Sequence, residues 1–294
     1  MNAIKSVSAV LNAPAPHMVG DGFRVHNFFP NGYKINMSPF FLLDYNARIE
    51  FSPRQEPRGV GVHPHRGFET VTIAYHGAVS HHDSAGNSGT IFPGDVQWMT
   101  AGRGVLHKEY HEQQYSLTGG PFQMVQLWVN LPARFKMTDP KYQDIRRGNM
   151  AGYSLENGGG VVEVIAGEYK GLQGPASTFS PLHLYNARLN AGGKAEFTLP
   201  ASYNTGFMVV DGSVRINGSA DDETAIAVAD QFVHFEHSGA LIELEAIENA
   251  TVLIMSGEPI DEPIAQYGPF LMNKPEEIDQ AIADYNEGKF GYLE

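Results

Sequence analysis

The chain contains no cysteine. Disulfides, thiolate metal ligands and thiol redox switches are therefore excluded, which fits a reducing compartment. Basic residues are scarce as well: 20 Lys and Arg stand against 33 Asp and Glu, for a net charge of −13. A surface of that sign is unsuited to gripping a phosphate backbone, so no direct nucleic-acid partner is expected. Long apolar runs are missing too. Met1 to Pro30 offers no signal-peptide core, and no stretch approaches the length of a membrane span. These absences together lead to an expectation of a soluble, cytoplasmic protein with no membrane partner.

What is abundant is turn chemistry. The 294 residues include 32 Gly and 18 Pro with 42% hydrophobic residues, which predicts many short strands around a sizeable core. Length alone suggests two domains. The stretch with Pro132, Pro140, Arg146-Arg147 and Gly158-Gly159-Gly160 marks a linker over 136–160. The divisions are then 1–135, 136–160 and 161–294.

Two polar clusters stand out between Gly61 and His111. One is His63-Pro64-His65, running into Phe68-Glu69-Thr70-Val71-Thr72-Ile73. The other is Val105-Leu106-His107-Lys108-Glu109. Residues two apart on a strand share a face. His63 therefore points with His65, and His107 with Glu109. Counting onward from His65, that face carries Val71, Ile73 and Tyr75, whereas Thr70 and Thr72 fall on the other. Both polar pairs thus share a face with apolar residues and point inward.

A single inward histidine is usually a hydrogen-bonded core residue. Two His-x-(His/Glu) pairs at matching parity are a different matter, because buried imidazoles and a carboxylate are costly unless paired or metal-bound. His63, His65, His107 and Glu109 are accordingly read as metal ligands. This mixed N/O set suits Fe(II), Mn, Ni, Cu or Zn, not Mg or Ca. Adjacent His81 and His82 would diverge on a strand and read as solvated or at a pocket rim. His17 and His26 have no partner at ligand spacing and read as structural or exposed.

The segment Met124–Leu131 alternates Val125, Leu127, Val129 and Leu131 against Gln126 and Asn130, the pattern of a half-buried strand. The second half repeats the first in diverged form. Setting Gly206-Phe207 on Gly67-Phe68 places Ser202 and Asn204 at the positions of His63 and His65. Setting Asp230 on Asp95 places Ile242 and Leu244 at those of His107 and Glu109. One metal per chain is expected, in the first half. Near the C-terminus a helix is predicted, with Asn273 as cap, Pro275 in its first turn and Gly288 as its stop. Ile278, Ile282 and Tyr285 form its apolar stripe.

The runs His63 to Val71 (HPHRGFETV), Pro93 to Gly104 (PGDVQWMTAGRG), His107-Lys108-Glu109, and Gly257 to Ile260 with Tyr267 to Asn273 resemble the pirin family of bicupins over nearly the whole chain. The resemblance implies an all-β protein of two cupin (double-stranded β-helix) barrels with a C-terminal helix. It also implies a monomer, and an iron-type metal in the N-terminal barrel on His63, His65, His107 and Glu109. In the wider cupin superfamily the carboxylate of the first motif, here Glu69, is often the ligand; the pirin pattern uses Glu109 instead, and Glu69, inward only if Gly67 does not break the strand, stands as a residue behind the ligands. For function the resemblance implies a quercetin 2,3-dioxygenase-like enzyme. Such an enzyme opens the heterocycle of a flavonol such as quercetin with O2, with Glu109 as ligand, base or both. It also admits a non-enzymatic metal-bearing regulator with a protein partner and, from other cupins, a Zn-dependent isomerase.

Overall fold

Gly77 and Gly212 each adopt a left-handed backbone (φ 77° and 73°). Each ends a long buried strand, Phe68–His76 and Asn204–Asp211. This equivalence runs through the computed structural model, which describes residues 3–218 and 226–294. The chain is mainly antiparallel β-structure and forms two units. One unit joins 14–35, 40–147 and 260–294, and the other joins 1–13, 36–39 and 148–259.

In the first unit a seven-stranded sheet runs Lys141–Ile145, Val96–Thr100, Phe68–His76, Gly120–Asn130, Phe40–Phe51, Phe23–Phe29, His17–Val19. A four-stranded sheet runs Gly59–His65, Val105–His111, Val79–Asp83, Ser88–Ile91. The second unit repeats this plan with seven strands (Val7–Asn12, Gln231–Phe235, Asn204–Asp211, Ala250–Gly257, Leu182–Leu189, Gly160–Ala166, Ala151–Ser154) and four (Lys194–Thr198, Leu241–Ala246, Ser213–Ile216, Ile226–Val228). The all-β, two-barrel expectation is met, and so is the internal repeat.

Three expectations need correction. The 136–160 stretch is not a linker. Lys141–Ile145 pairs with Val96–Thr100, Ala151–Ser154 pairs with Gly160–Ala166, and the division between units falls between Arg147 and Gly148. The chain ends are also exchanged. Val7–Asn12 pairs with Gln231–Phe235, while 260–294 belongs to the first unit rather than closing the second.

The second correction concerns the repeat. His107 lies opposite His63 and Val105 opposite His65. In the second unit Ile242 lies opposite Phe197, and the Leu199 amide donates to the Ala240 carbonyl. Phe197 and Leu199, not Ser202 and Asn204, therefore occupy the positions of His63 and His65. The misleading signal was glycine. Gly67 sits at φ 89° with the Leu271 carbonyl where a Cβ would be, whereas Gly206 lies within a strand under the Phe232 ring.

The third concerns the helix, Pro275–Asn286. Lys274, not Asn273, stands at its N-cap, and the Glu277 carboxylate accepts from the amides of both Asn273 and Lys274. Ile278, Ala281 and Asp284 are its buried residues, while Tyr285 is exposed. Asp284 faces inward because it pairs with Arg66 at 2.8 Å. Among the described residues no helix is long and apolar enough to cross a membrane.

Candidate metal centre

Pairing of Gly59–His65 with Val105–His111 brings three imidazoles together. Ring centroids of His63 and His107 lie 4.3 Å apart, those of His65 and His107 4.7 Å, and those of His63 and His65 4.9 Å. One ring nitrogen from each falls within 4.8 Å of the others, close enough for a single ion.

Each ring is held from behind. His63 Nδ1 is 2.8 Å from the Gly61 carbonyl, and the Pro269 carbonyl accepts from the His65 ring. His107 Nδ1 meets His81 Nδ1 at 3.4 Å. Two nitrogens are left buried with no partner, Nδ1 of His65 and Nε2 of His107. Burial first, and the neighbouring imidazoles second, hold both rings well below the ordinary histidine pKa, so they stay neutral. Neutral imidazoles with unpartnered lone pairs are what a first-row divalent metal requires, and the donor set fits one.

Glu109 is buried and tightly gripped. Its Oε1 accepts from Gln97 Nε2 (3.0 Å) and Thr72 Oγ1 (3.2 Å), and its Oε2 accepts from Gln126 Nε2 (2.8 Å). These bonds cross from the four-stranded sheet to the seven-stranded one, so the two sheets face each other over the site. Glu109 and His107 form a second close group with His81, and that group excludes His63 and His65. The structure thus brings the three predicted histidines together and attaches the predicted carboxylate to them through His107.

His81 is not solvated. It is fully buried, lies opposite Glu109 in the strand register, and stacks on Tyr142. Adjacent residues diverge on a strand, so one of His81 and His82 had to face inward. His82 is the outward one, stacked on Tyr110. His17 is exposed and His26 bonds the Pro14 carbonyl, and neither falls in a close group with the three imidazoles. The sequence reading missed Thr72, Gln97 and Gln126. Gln126 lies on the face that looked solvent-directed, because a strand covered on both sides still alternates when its inner face is a polar site.

Glu69 is likewise misplaced by the sequence count. Thr72 reaches Glu109, so the even positions of Phe68–His76 face the site and Glu69 faces away, bonded by Thr100 Oγ1 at 2.7 Å. The left-handed turn at Gly67 breaks the parity counted from His65. Burial raises the Glu69 pKa from 4.5 to about 7. Between these values the folded protein holds more protons than the unfolded chain, so stability falls as pH rises, by at most about 3 kcal/mol. Glu69→Gln is expected to flatten that fall. Urea unfolding of both proteins at pH 5 and pH 8 checks it, and an unchanged slope would refute it.

A cavity of about 360 Å³ opens onto His63, His65 and Glu109. Its walls include Phe23, Val25, Met124 and Trp128, with Asp44 and Gln126 as polar points. The size and the apolar lining are those of a small-molecule site. Asn27 Nδ2 fixes Asp44 at 2.7 Å, and burial raises the Asp44 carboxyl pKa.

The Pirin family model matches residues 22–129, and the model of the pirin C-terminal cupin domain matches 184–291. The chain belongs to the pirin family. Pirin of Homo sapiens is 35% identical over 274 residues, 93% of this chain and 90% of the human protein. A Pseudomonas aeruginosa protein provisionally named a quercetin 2,3-dioxygenase is 46% identical over 288 residues, 98% of this pirin and 99% of that protein. The crystal structure of quercetin 2,3-dioxygenase from Acinetobacter baumannii superposes with a TM-score of 0.92 at 45% identity, covering 99% of this chain and 100% of that one. The fold is therefore the all-β bicupin with a C-terminal helix.

Proposed function

We propose that this pirin is a metal-dependent dioxygenase that opens the heterocycle of a flavonol such as quercetin with O2. The observation that carries the reading is the apolar cavity opening onto His63, His65 and Glu109. The names of the Pseudomonas and Acinetobacter relatives support it. His63, His65 and His107 would hold the ion, with Glu109 as fourth ligand, base or both. Bound there, Fe(II), or Mn, Ni, Cu or Zn in its place, would supply Lewis acidity toward a phenolate and the electronic coupling to O2.

The remaining chemistry belongs to the chain. A carboxylate has about four acceptor positions. Thr72, Gln97 and Gln126 fill three on Glu109, leaving one that can face the ion or take the proton of an entering hydroxyl. Phe23, Val25, Met124 and Trp128 exclude water and present flat apolar walls to an aromatic ring. Asp44, anchored by Asn27 on one oxygen, offers an acceptor for a second hydroxyl.

The test is oxygen uptake with quercetin by protein reconstituted anaerobically with each metal, with carbon monoxide release measured in parallel. Stoichiometric uptake is expected. A fully metallated sample without uptake would overturn the enzyme reading in favour of a metal-bearing regulator. Glu109→Gln is expected to lower uptake on the order of 100-fold while metal content falls far less. Unchanged uptake would remove Glu109 as the base.

A further inference from the structure

We infer that Asp83 and His81 form a relay that fixes His107 as its Nδ1–H tautomer and so presents the Nε2 lone pair to the metal. The inference rests on the metal reading above and adds two positioning residues behind one ligand.

His81 Nδ1 and His107 Nδ1 face each other at 3.4 Å, so one of them carries the hydrogen. The far sides of the two rings decide which. His81 Nε2 lies 3.2 Å from Asp83 Oδ2. Asp83 Oδ1 accepts from the amides of Ala85 (3.0 Å) and Asn87 (2.9 Å) and from Asn87 Nδ2 (3.1 Å). Burial pushes the Asp83 carboxyl up, but the bonds from His81 and Asn87 outweigh it and hold its pKa below the usual range. Asp83 is thus an acceptor, and His81 Nε2 donates to it. His107 Nε2 has no acceptor within hydrogen-bonding reach, so the shared hydrogen is placed on His107 Nδ1, His81 Nδ1 accepts it, and His107 Nε2 is left bare.

The structure shows that bare nitrogen. His107 Nε2 is buried without a partner beside His63 and His65. The opposite polarity would leave a buried Nε2–H with no acceptor within hydrogen-bonding distance. The register places the parts: Asp83 lies opposite His107 and His81 opposite Glu109 on neighbouring strands. Tyr142, stacked on His81 with centroids 5.0 Å apart, keeps the ring from turning. His63 and His65 lean on backbone carbonyls, whereas His107 leans on a chain that ends in a carboxylate. Such an outer carboxylate orients the ligand ring and raises its basicity.

The test uses the full-length chain, wild type and the variants Asp83→Asn, His81→Phe and His107→Ala. Long-range ¹⁵N spectra of the metal-free protein read the His107 tautomer, and chelator competition with Zn(II) reads affinity. Expected are an Nδ1–H tautomer in the wild type, an Nε2–H tautomer in Asp83→Asn, and Zn(II) affinity lowered 10- to 100-fold in Asp83→Asn and His81→Phe. His107→Ala should lose binding altogether. An Nε2–H tautomer in the wild type, or equal tautomer and affinity in the wild type and Asp83→Asn, would overturn the relay. Complete loss in His81→Phe with wild-type affinity in Asp83→Asn would overturn it too, making His81 a ligand. His81→Phe leaves the loop bonds of Asp83 Oδ1 in place, so it keeps the test open if Asp83→Asn unfolds. A wild type with the expected tautomer and no Zn(II) binding would instead overturn the metal reading.

Discussion

Replacing His107 with isoleucine is expected to lower bound metal at least tenfold while the protein stays folded. His107 is common to both close groups, His63–His65–His107 and His81–His107–Glu109, so among the described residues neither set survives its loss. The second barrel shows what the scaffold accepts there: Ile242 holds the equivalent register position, fully buried opposite Phe197. An alanine would leave a void, whereas isoleucine fills a comparable volume. The unpartnered Nε2 of His107 disappears while Nδ1 of His81 loses its partner, and a buried polar atom without a partner costs about 1–3 kcal/mol in either case. The metal-free variant should therefore unfold close to the temperature of the metal-free wild type. Elemental analysis and calorimetry check the two halves separately. Retained metal would move the centre elsewhere, and an unfolded variant would break the equivalence with Ile242.

That equivalence also explains how much of the site could be read in the sequence. That His63, His65, His107 and Glu109 face inward was legible because each pair sits on one strand, where the two-residue period holds. The two-residue period does not carry across a turn. Gly67 reverses the parity that seemed to put Val71 on the site side and Thr72 away from it. The adjacent pair His81-His82 reads as solvated or at a pocket rim because strand neighbours diverge, yet the inward member, His81, is buried against His107. The two-barrel fold was legible through the resemblance of these motifs to the pirin family, and the β-rich, repeated pattern of turns and strands agreed with it. The exchange of chain ends was not, because pairing of Val7–Asn12 with Gln231–Phe235 spans more than 200 residues and leaves no local trace. The role of 260–294 was hidden for the same reason. Pro269 backs His65, and Asp284 pairs with Arg66, the residue next to that ligand.

Lys136→Met is expected to destabilise the metal-bearing unit by roughly 3–5 kcal/mol, lowering its Tm on the order of 10 °C. Lys136 is almost fully buried at the end of the short helical turn Ala133–Phe135. An ammonium has three donors. Here they go to Asn130 Oδ1 (2.7 Å), the Gly67 carbonyl (2.9 Å) and the Leu271 carbonyl (2.7 Å). Methionine matches the length of the side chain but donates nothing, so three buried oxygens lose their partner at once. Arginine would not rescue the variant, because a planar fork cannot reach three acceptors arranged around one nitrogen. The place of the loss matters as much as its size. Gly67 follows His65 and Arg66 in the chain, and Leu271 follows the Pro269 and Phe270 that lie against them. Cutting the tie frees 260–294 from the ligand turn, so proteolysis should begin in that segment and metal affinity should drop with stability. A Tm loss with wild-type metal affinity would show that Lys136 supports only the core, and an unchanged Tm would mean that its three bonds contribute nothing net.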